Sequence, residues 1–390
     1  MAPTQPPLEL EPTQADAGKA FVLESKGTWL HAGYHLTAAT AGPPLLALPF
    51  AMSHLGWGPG IFTLLLAAAV TFYECFLLSI TTEELNSQGL QCFRFWDVAS
   101  HVMGPTWAHY FVAPLQYVLC YVVVIALILL GGGTLEAVFS AALSNGGHVR
   151  LYYYTAIFGA FALVLSQLPS FHSLRFFNLL SMLLCLGFSI CTVGGSIIAG
   201  LSDEAPPKDY SVHGSPLHVM FGTFNAISIT LTAYANPLIV EIQATLLPPP
   251  TSKMLKGLLV CYSVSLLTFL SVSISGYWAF GSSAKGLVFD NMKSLVPKWL
   301  FILSNAFACL QLIGATAVYM QPLFAKYEGL VINVNMGWFS PRNLFLRLIL
   351  VLLWVRLDLC HYASFCLIGS VAAVRQIVLD VNMYKIFPST

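Results

Sequence analysis

His35-Leu36-Thr37-Ala38-Ala39-Thr40-Ala41-Gly42-Pro43-Pro44-Leu45 lies in the middle of an apolar run that extends from about 31 to 55. A run of that length is what a helix needs to cross a hydrocarbon core about 30 Å thick. Two consecutive prolines remove two backbone donors and crowd the preceding turn, so no helix passes this point unbroken. Such a break is tolerated at membrane depth only where the freed backbone groups meet protein or line a cavity.

About half a chain later Tyr234-Ala235-Asn236-Pro237 stands in the same central place of a run over 218–246. Paired interruptions of this kind are the best pointer in a sequence to a transporter's binding site. A half-helix restarting after a break presents free N–H groups and a positive dipole end to a carboxylate, and freed carbonyls can meet an ammonium group. Together the two halves suit a zwitterion. Proline kinks also shape packing without binding anything, and a single one would carry little weight.

Outward from these segments, apolar runs at 31–55, 59–80, 111–142, 152–168, 176–200, 218–246, 255–280 and 298–324 predict transmembrane helices. With 57% hydrophobic and 9% charged residues, against about 25% charged in soluble domains, the chain reads as an all-α polytopic membrane protein. Seventeen basic and seventeen acidic residues cancel, which implies neither a nucleic-acid partner nor a patch for anionic membranes. With a cytoplasmic N-terminus, Lys19, Lys26, Arg94, Arg175, Lys253, Lys256, Lys326 and Arg342 fall inside, against Arg150, Lys208, Lys285, Lys293 and Lys298 outside, a bias of the correct sign. Residues 1–25 read as a disordered cytoplasmic tail without a cleavable signal, and 378–390 as a C-terminal tail. The aromatic, polar stretch from Arg94-Phe95-Trp96-Asp97 to Trp107 is either a helix along the inner interface or an ordinary loop.

Ionisable residues at membrane depth cost a few kcal/mol unless they face a cavity or a partner. Glu241 follows the second break by one turn and is either a proton-coupling carboxylate or a hydrogen-bonding cap to Gln243 or a neighbouring helix. His35 precedes the first break and is a second proton-coupling candidate, with a packing role as the alternative. Glu74 and Glu136 read as structural. The nine cysteines lack C-x-x-C spacing and read as small core hydrophobes, and no metal-ligand spacing accompanies the histidine. There is no Walker-type glycine-rich loop and no Ser-His-Asp arrangement, so neither an enzyme nor an ATP-driven pump is expected, and no cofactor beyond a proton gradient as driving force.

The segments Gly27-Thr28-Trp29, Leu45-Leu46-Ala47-Leu48-Pro49-Phe50-Ala51, Gln167 to Arg175, Glu241-Ile242-Gln243-Ala244-Thr245, Gly276-Tyr277-Trp278-Ala279-Phe280-Gly281 and Ala372-Ala373-Val374-Arg375-Gln376 resemble the plant gamma-aminobutyrate transporter group of the amino acid/auxin permease family. The resemblance implies an inverted-repeat transporter fold with broken first and sixth helices, proton-coupled symport of gamma-aminobutyrate or neutral amino acids, and residence in the plasma membrane. It implies that Thr37, Ala41 and Gly42 face the substrate from the first break, Tyr234, Ala235 and Asn236 from the sixth helix, and that Tyr121 walls the cavity. Ala235 and Pro237 depart from the group, whose members tend to have glycine on both sides of the asparagine, and this bears on substrate length.

A second departure lies further on. Only 32 residues separate Arg342 from Arg375, where the family has three complete spans. The run from Leu344 to Trp354 resembles the start of the ninth helix, and that from Phe365 to Val374 the end of the eleventh. The expectation is a transporter domain over 26–377 with about nine helices, an internal deletion near 354–364 and an incomplete C-terminal repeat. A truncated isoform with little transport, or an auxin carrier of the neighbouring subgroup, are the alternatives to an active symporter.

Overall fold

The double proline divides the first span as its chemistry requires. In the computed structural model, which describes residues 27–90, 92–143, 149–166 and 175–331, helix α1 (Trp29–Thr40) stops at Ala41 (ψ 89°) and an extended Gly42. A 3-10 stretch, Pro43–Ala47, then leads into α2 (Leu48–Leu55). The long helix α3 (Trp57–Ser87) follows, then α4 (Phe95–Met103). A helical turn (Pro105–Trp107) and a π-helical turn (Ala108–Val112) lead into α5 (Ala113–Ala142). Next come α6 (Leu151–Ser166) and α7 (Arg175–Leu201). The second broken span is α8 (Pro216–Tyr234) and α9 (Ile239–Ala244), separated at Ala235 in extended conformation. The rest is α10 (Pro250–Phe280), the short α11 (Val288–Met292) and α12 (Lys298–Val331). No strand occurs among the described residues, only an isolated bridge between Gly27 and Leu246.

Each predicted span has a helix, or a broken pair, in its place. By length and composition five described helical segments can cross a membrane: Trp57–Ser87, Pro105–Ala142, Asn178–Leu201, Pro250–Ser283 and Lys298–Met320. Two shorter apolar segments are Pro44–Leu55 and Leu151–Leu165. On α3, Phe62, Leu65, Leu66, Val70, Tyr73, Leu77 and Ile80 are exposed while Leu64, Ala67, Ala68 and Cys75 are buried. Exposed apolar residues at three- and four-residue spacing form one stripe, a face suited to lipid rather than water. The stretch after Arg94 is a helix, with Val102 and Met103 exposed near its end and Trp107, Tyr110 and Phe111 exposed in the turns beyond. The stretch is thus helical and not a loop.

Residues up to Pro322 form one compact unit, and the second unit is described only through the end of α12. Within the first, α10 packs along α1, α2, α3 and α7, and α8 lies against α2 and α3. The second half of the second broken helix, α9, touches α1, α3, α4 and α10. Gly27 ties the start of α1 to the end of α9: its N–H donates to the Thr245 carbonyl at 2.9 Å and its carbonyl accepts from the Leu247 N–H at 3.1 Å.

At the opposite ends, the loop before α8 is held on α10. The Tyr210 hydroxyl donates to the Trp278 carbonyl at 2.9 Å, the Tyr277 hydroxyl to the Tyr210 carbonyl at 3.1 Å, and the Ser282 N–H to the Asp209 carbonyl at 2.7 Å. The last contact needs Gly281, whose φ of +52° is left-handed and whose absent Cβ would stand 2.2 Å from the Asp209 carbonyl oxygen. The tail 1–25, most of the Gln167–Arg175 segment, the region from Arg342 with the expected junction near 354–364, and 378–390 lie outside the described residues.

Candidate substrate site

The two breaks meet. Asn236 donates from Nδ2 to the Thr40 hydroxyl at 3.0 Å, and its Oδ1 accepts the Leu238 N–H at 3.0 Å. One side chain thus closes the turn where the second span is interrupted and reaches the last residue of α1. Pro237 has no N–H to give, so the asparagine side chain organises a turn that the backbone cannot. Ala235 is exposed beside it, and Tyr234 is fully buried, its ring stacked on Tyr262 and tilted against Phe269 of α10. The Tyr234 hydroxyl has no hydrogen-bond partner among the described residues.

On the other side of the break, Thr37 is buried and donates its hydroxyl to the Gly33 carbonyl at 2.7 Å, while its own carbonyl accepts from the Ala41 N–H at 2.8 Å. Carbonyls at the end of α1 find donors on α12. The Tyr319 hydroxyl reaches Ala39 at 3.1 Å, and Gln311 Nε2 approaches Ala41 at 3.5 Å. Gly42 leaves room for this approach, since a Cβ there would stand 3.1 Å from Gln311 Nε2 and the amide would have to give way by a few tenths of an ångström. Neither Gln311 nor Tyr319 is marked by the sequence alone, because a lone polar residue in an apolar helix has no local signature of its partner.

Glu241 on α9 is buried and joins three elements. Its Oε1 accepts from Gln116 Nε2 of α5 at 2.9 Å and from the Phe95 N–H of α4 at 3.4 Å. Its Oε2 has no hydrogen-bond partner among the described residues. Arg94, at the start of α4, is near enough for its charge to act on Glu241. Beneath this group Val240 packs with Cys92 and Val98, flanked by Leu78, Leu85, Leu90 and Phe95. Next along α9, Gln243 donates to the Ser79 carbonyl of α3 at 2.9 Å. The start of α4 is fixed by Asp97, whose Oδ2 accepts the N–H groups of Phe93 at 3.1 Å and Arg94 at 2.9 Å. Burial raises the Asp97 carboxyl above its ordinary value, partly offset by those two donors.

The remaining candidates are distributed. His35 is buried on α1 and its Nδ1 is hydrogen-bonded to Asn178 Nδ2 of α7. Tyr121 is half-buried on α5, one turn beyond the residues that carry Gln116 toward Glu241. Glu74 is exposed on the apolar stripe of α3, and Glu136 is half-buried on α5. No group of three or more His, Cys, Asp or Glu side chains with metal-binding geometry occurs among the described residues.

The family described as transmembrane amino acid transporter protein matches residues 25–359, a span that contains both breaks and the helices around them. The chain belongs to that family. The transporter is therefore an integral membrane protein of a carrier family and not an enzyme. It is 40% identical to GABA transporter 1 of Arabidopsis thaliana over 95% of this chain and 95% of that protein, which places it with the gamma-aminobutyrate transporter-like subgroup. Lysine histidine transporter-like 6 and Lysine histidine transporter-like 4 of the same plant are each 28% identical, over 85% and 80% of this chain and 75% and 69% of their own lengths. The alignment with GABA transporter 1 runs over 432 positions, more than the 390 residues of the transporter, so part of that relative's matched sequence has no counterpart here.

Proposed function

We propose that the transporter is a proton-coupled symporter that carries gamma-aminobutyrate or a neutral amino acid across the plasma membrane. The observation that carries this reading is the hydrogen bond between Asn236 and Thr40, which sets the two helix breaks side by side. Substrate is held there by the backbone at Ala41, Gly42, Ala235 and Asn236, with Thr37, Tyr121 and Tyr234 around it. The positive dipole end of a half-helix restarting after a break favours the carboxylate, and carbonyls at the end of α1 favour the amine. The name of the relative at 40% identity supports the substrate class.

Glu241 supports the proton step, because it is a buried carboxylate with an unpartnered oxygen, carried on α9 of the second broken helix and joined to α4 and α5. His35 is the second candidate, held by Asn178. The driving force is the proton gradient itself, with no bound cofactor. A second reading, a chain of reduced activity, is favoured by the alignment longer than the chain and by a family match that stops at residue 359, inside the region of the expected junction.

Uptake of radiolabelled gamma-aminobutyrate into proteoliposomes tests the main reading. The expected result is uptake that rises as the outside is made acid. Glu241→Gln keeps one acceptor oxygen for Gln116 and Phe95 but removes the charge, and is expected to lose the pH response while retaining substrate exchange. Uptake that needs sodium and ignores pH would count against proton coupling.

A further inference from the structure

Gln311 belongs to α12, to which neither break belongs, and its side chain is fully buried. Its Nε2 points at the Ala41 carbonyl, at a long 3.5 Å, and its Oε1 accepts no hydrogen bond among the described residues. Turning the amide over would bring Oε1 against the Ala41 carbonyl oxygen, acceptor against acceptor, so the hydrogen-bond network favours the orientation that leaves Oε1 unpartnered. A buried acceptor left open in this way requires an explanation, because it destabilises the fold unless something donates to it.

The space in front of the amide is made by Gly42, whose absent Cβ would stand 3.1 Å from Nε2 and 3.7 Å from Oε1. Two acceptors, Gln311 Oε1 and the Ala41 carbonyl, therefore border the same break at the negative end of the α1 dipole. A carboxylate is repelled by that combination. An ammonium group, which carries three N–H donors and a positive charge, fits it. The position of Gln311 is secured on both sides: its backbone carbonyl is approached by the Ser181 hydroxyl of α7 at 3.4 Å, and Tyr319, eight residues on, donates to Ala39.

We infer that Gln311 is a specificity-determining residue of the substrate site, its amide oxygen accepting from the ammonium group of the bound amino acid while its amide nitrogen steadies the broken end of α1. The inference rests on the reading that substrate lies between the breaks, and it names the residue that distinguishes an amino acid from the same acid without its amine.

The experiment is equilibrium binding of radiolabelled gamma-aminobutyrate to the purified full-length chain, with unlabelled gamma-aminobutyrate and butyrate as competitors. Gln311→Leu is expected to weaken gamma-aminobutyrate about ten-fold or more while leaving butyrate competition unchanged, the loss of a hydrogen bond to a charged group. Gln311→Glu keeps an acceptor toward the ammonium group but gives up the donor to the Ala41 carbonyl, and is expected to raise the ratio of gamma-aminobutyrate to butyrate affinity above the parent's, which decides the matter alone where the leucine variant does not fold. Parental affinity in Gln311→Leu, or a ratio in Gln311→Glu no higher than the parent's, would overturn the inference and leave the site between the breaks standing. A parent chain that binds no amine at all would bring down the site and this inference together.

Discussion

Asn236 serves both breaks with one side chain, and this makes it the residue whose removal says most. Asn236→Ala deletes the bond to Thr40 and the acceptor for the Leu238 N–H, a loss of about 1–3 kcal/mol for two hydrogen bonds. We predict a higher substrate transport constant, about ten-fold, at unchanged abundance in the membrane, measured by uptake kinetics normalised to surface protein. An unchanged constant would place the substrate elsewhere. The position of the breaks was legible in the sequence because Pro43, Pro44 and Pro237 dictate backbone geometry locally. Their partners were not, since Thr40 and Asn236 lie far apart along the chain and Gln116, Asn178 and Gln311 are isolated amides whose meaning depends on which helix faces them.

Helix α4 shows how a short element is anchored at its start. Asp97→Ala leaves the N–H groups of Phe93 and Arg94 without their acceptor, and we predict a loss of about 1 kcal/mol in the local stability of 95–103, read by amide hydrogen exchange. Asp97→Asn keeps an acceptor and is expected to preserve the helix. The sign of the pH effect follows from burial: a carboxyl raised above its ordinary value binds its proton more readily in the fold than in the unfolded chain. This contribution is greatest at acid pH and is lost as pH rises through the raised value, so protection of α4 is expected to hold or increase when pH is lowered from neutral.

The glycine that holds the loop before α8 on the end of α10 gives a second test among the elements. Gly281→Ala would need both a left-handed alanine, at a cost of about 1–2 kcal/mol, and a displacement of the Asp209 backbone. We expect a lower thermal unfolding temperature and lower surface abundance, with the residual protein retaining its affinity. The helices themselves were readable from apolar runs, α8 among them, although His218, Thr223, Asn225, Ser228, Thr230 and Thr232 interrupt its apolar sequence.

For the molecule as a whole, the described residues include both breaks and the helices that hold them, while the family relative at 40% identity carries additional sequence within the matched region. From Arg342 to Arg375 the chain can extend at most about 50 Å as a helix at 1.5 Å per residue, enough for one crossing with overhang and not for three. We therefore predict that the chain transports far less than a version into which the missing segment, about 60 residues or two spans with their loops, has been restored between Trp354 and Ser364. Side-by-side uptake of the two proteins at equal abundance checks this, and matching rates would show that the shorter C-terminal region suffices.

The pairing of Gly27 with Thr245 and Leu247 has a mechanical meaning for such a carrier. Two backbone hydrogen bonds join the start of α1 to the end of α9, so drawing one half-helix away from the other at this end would first require both bonds to be broken.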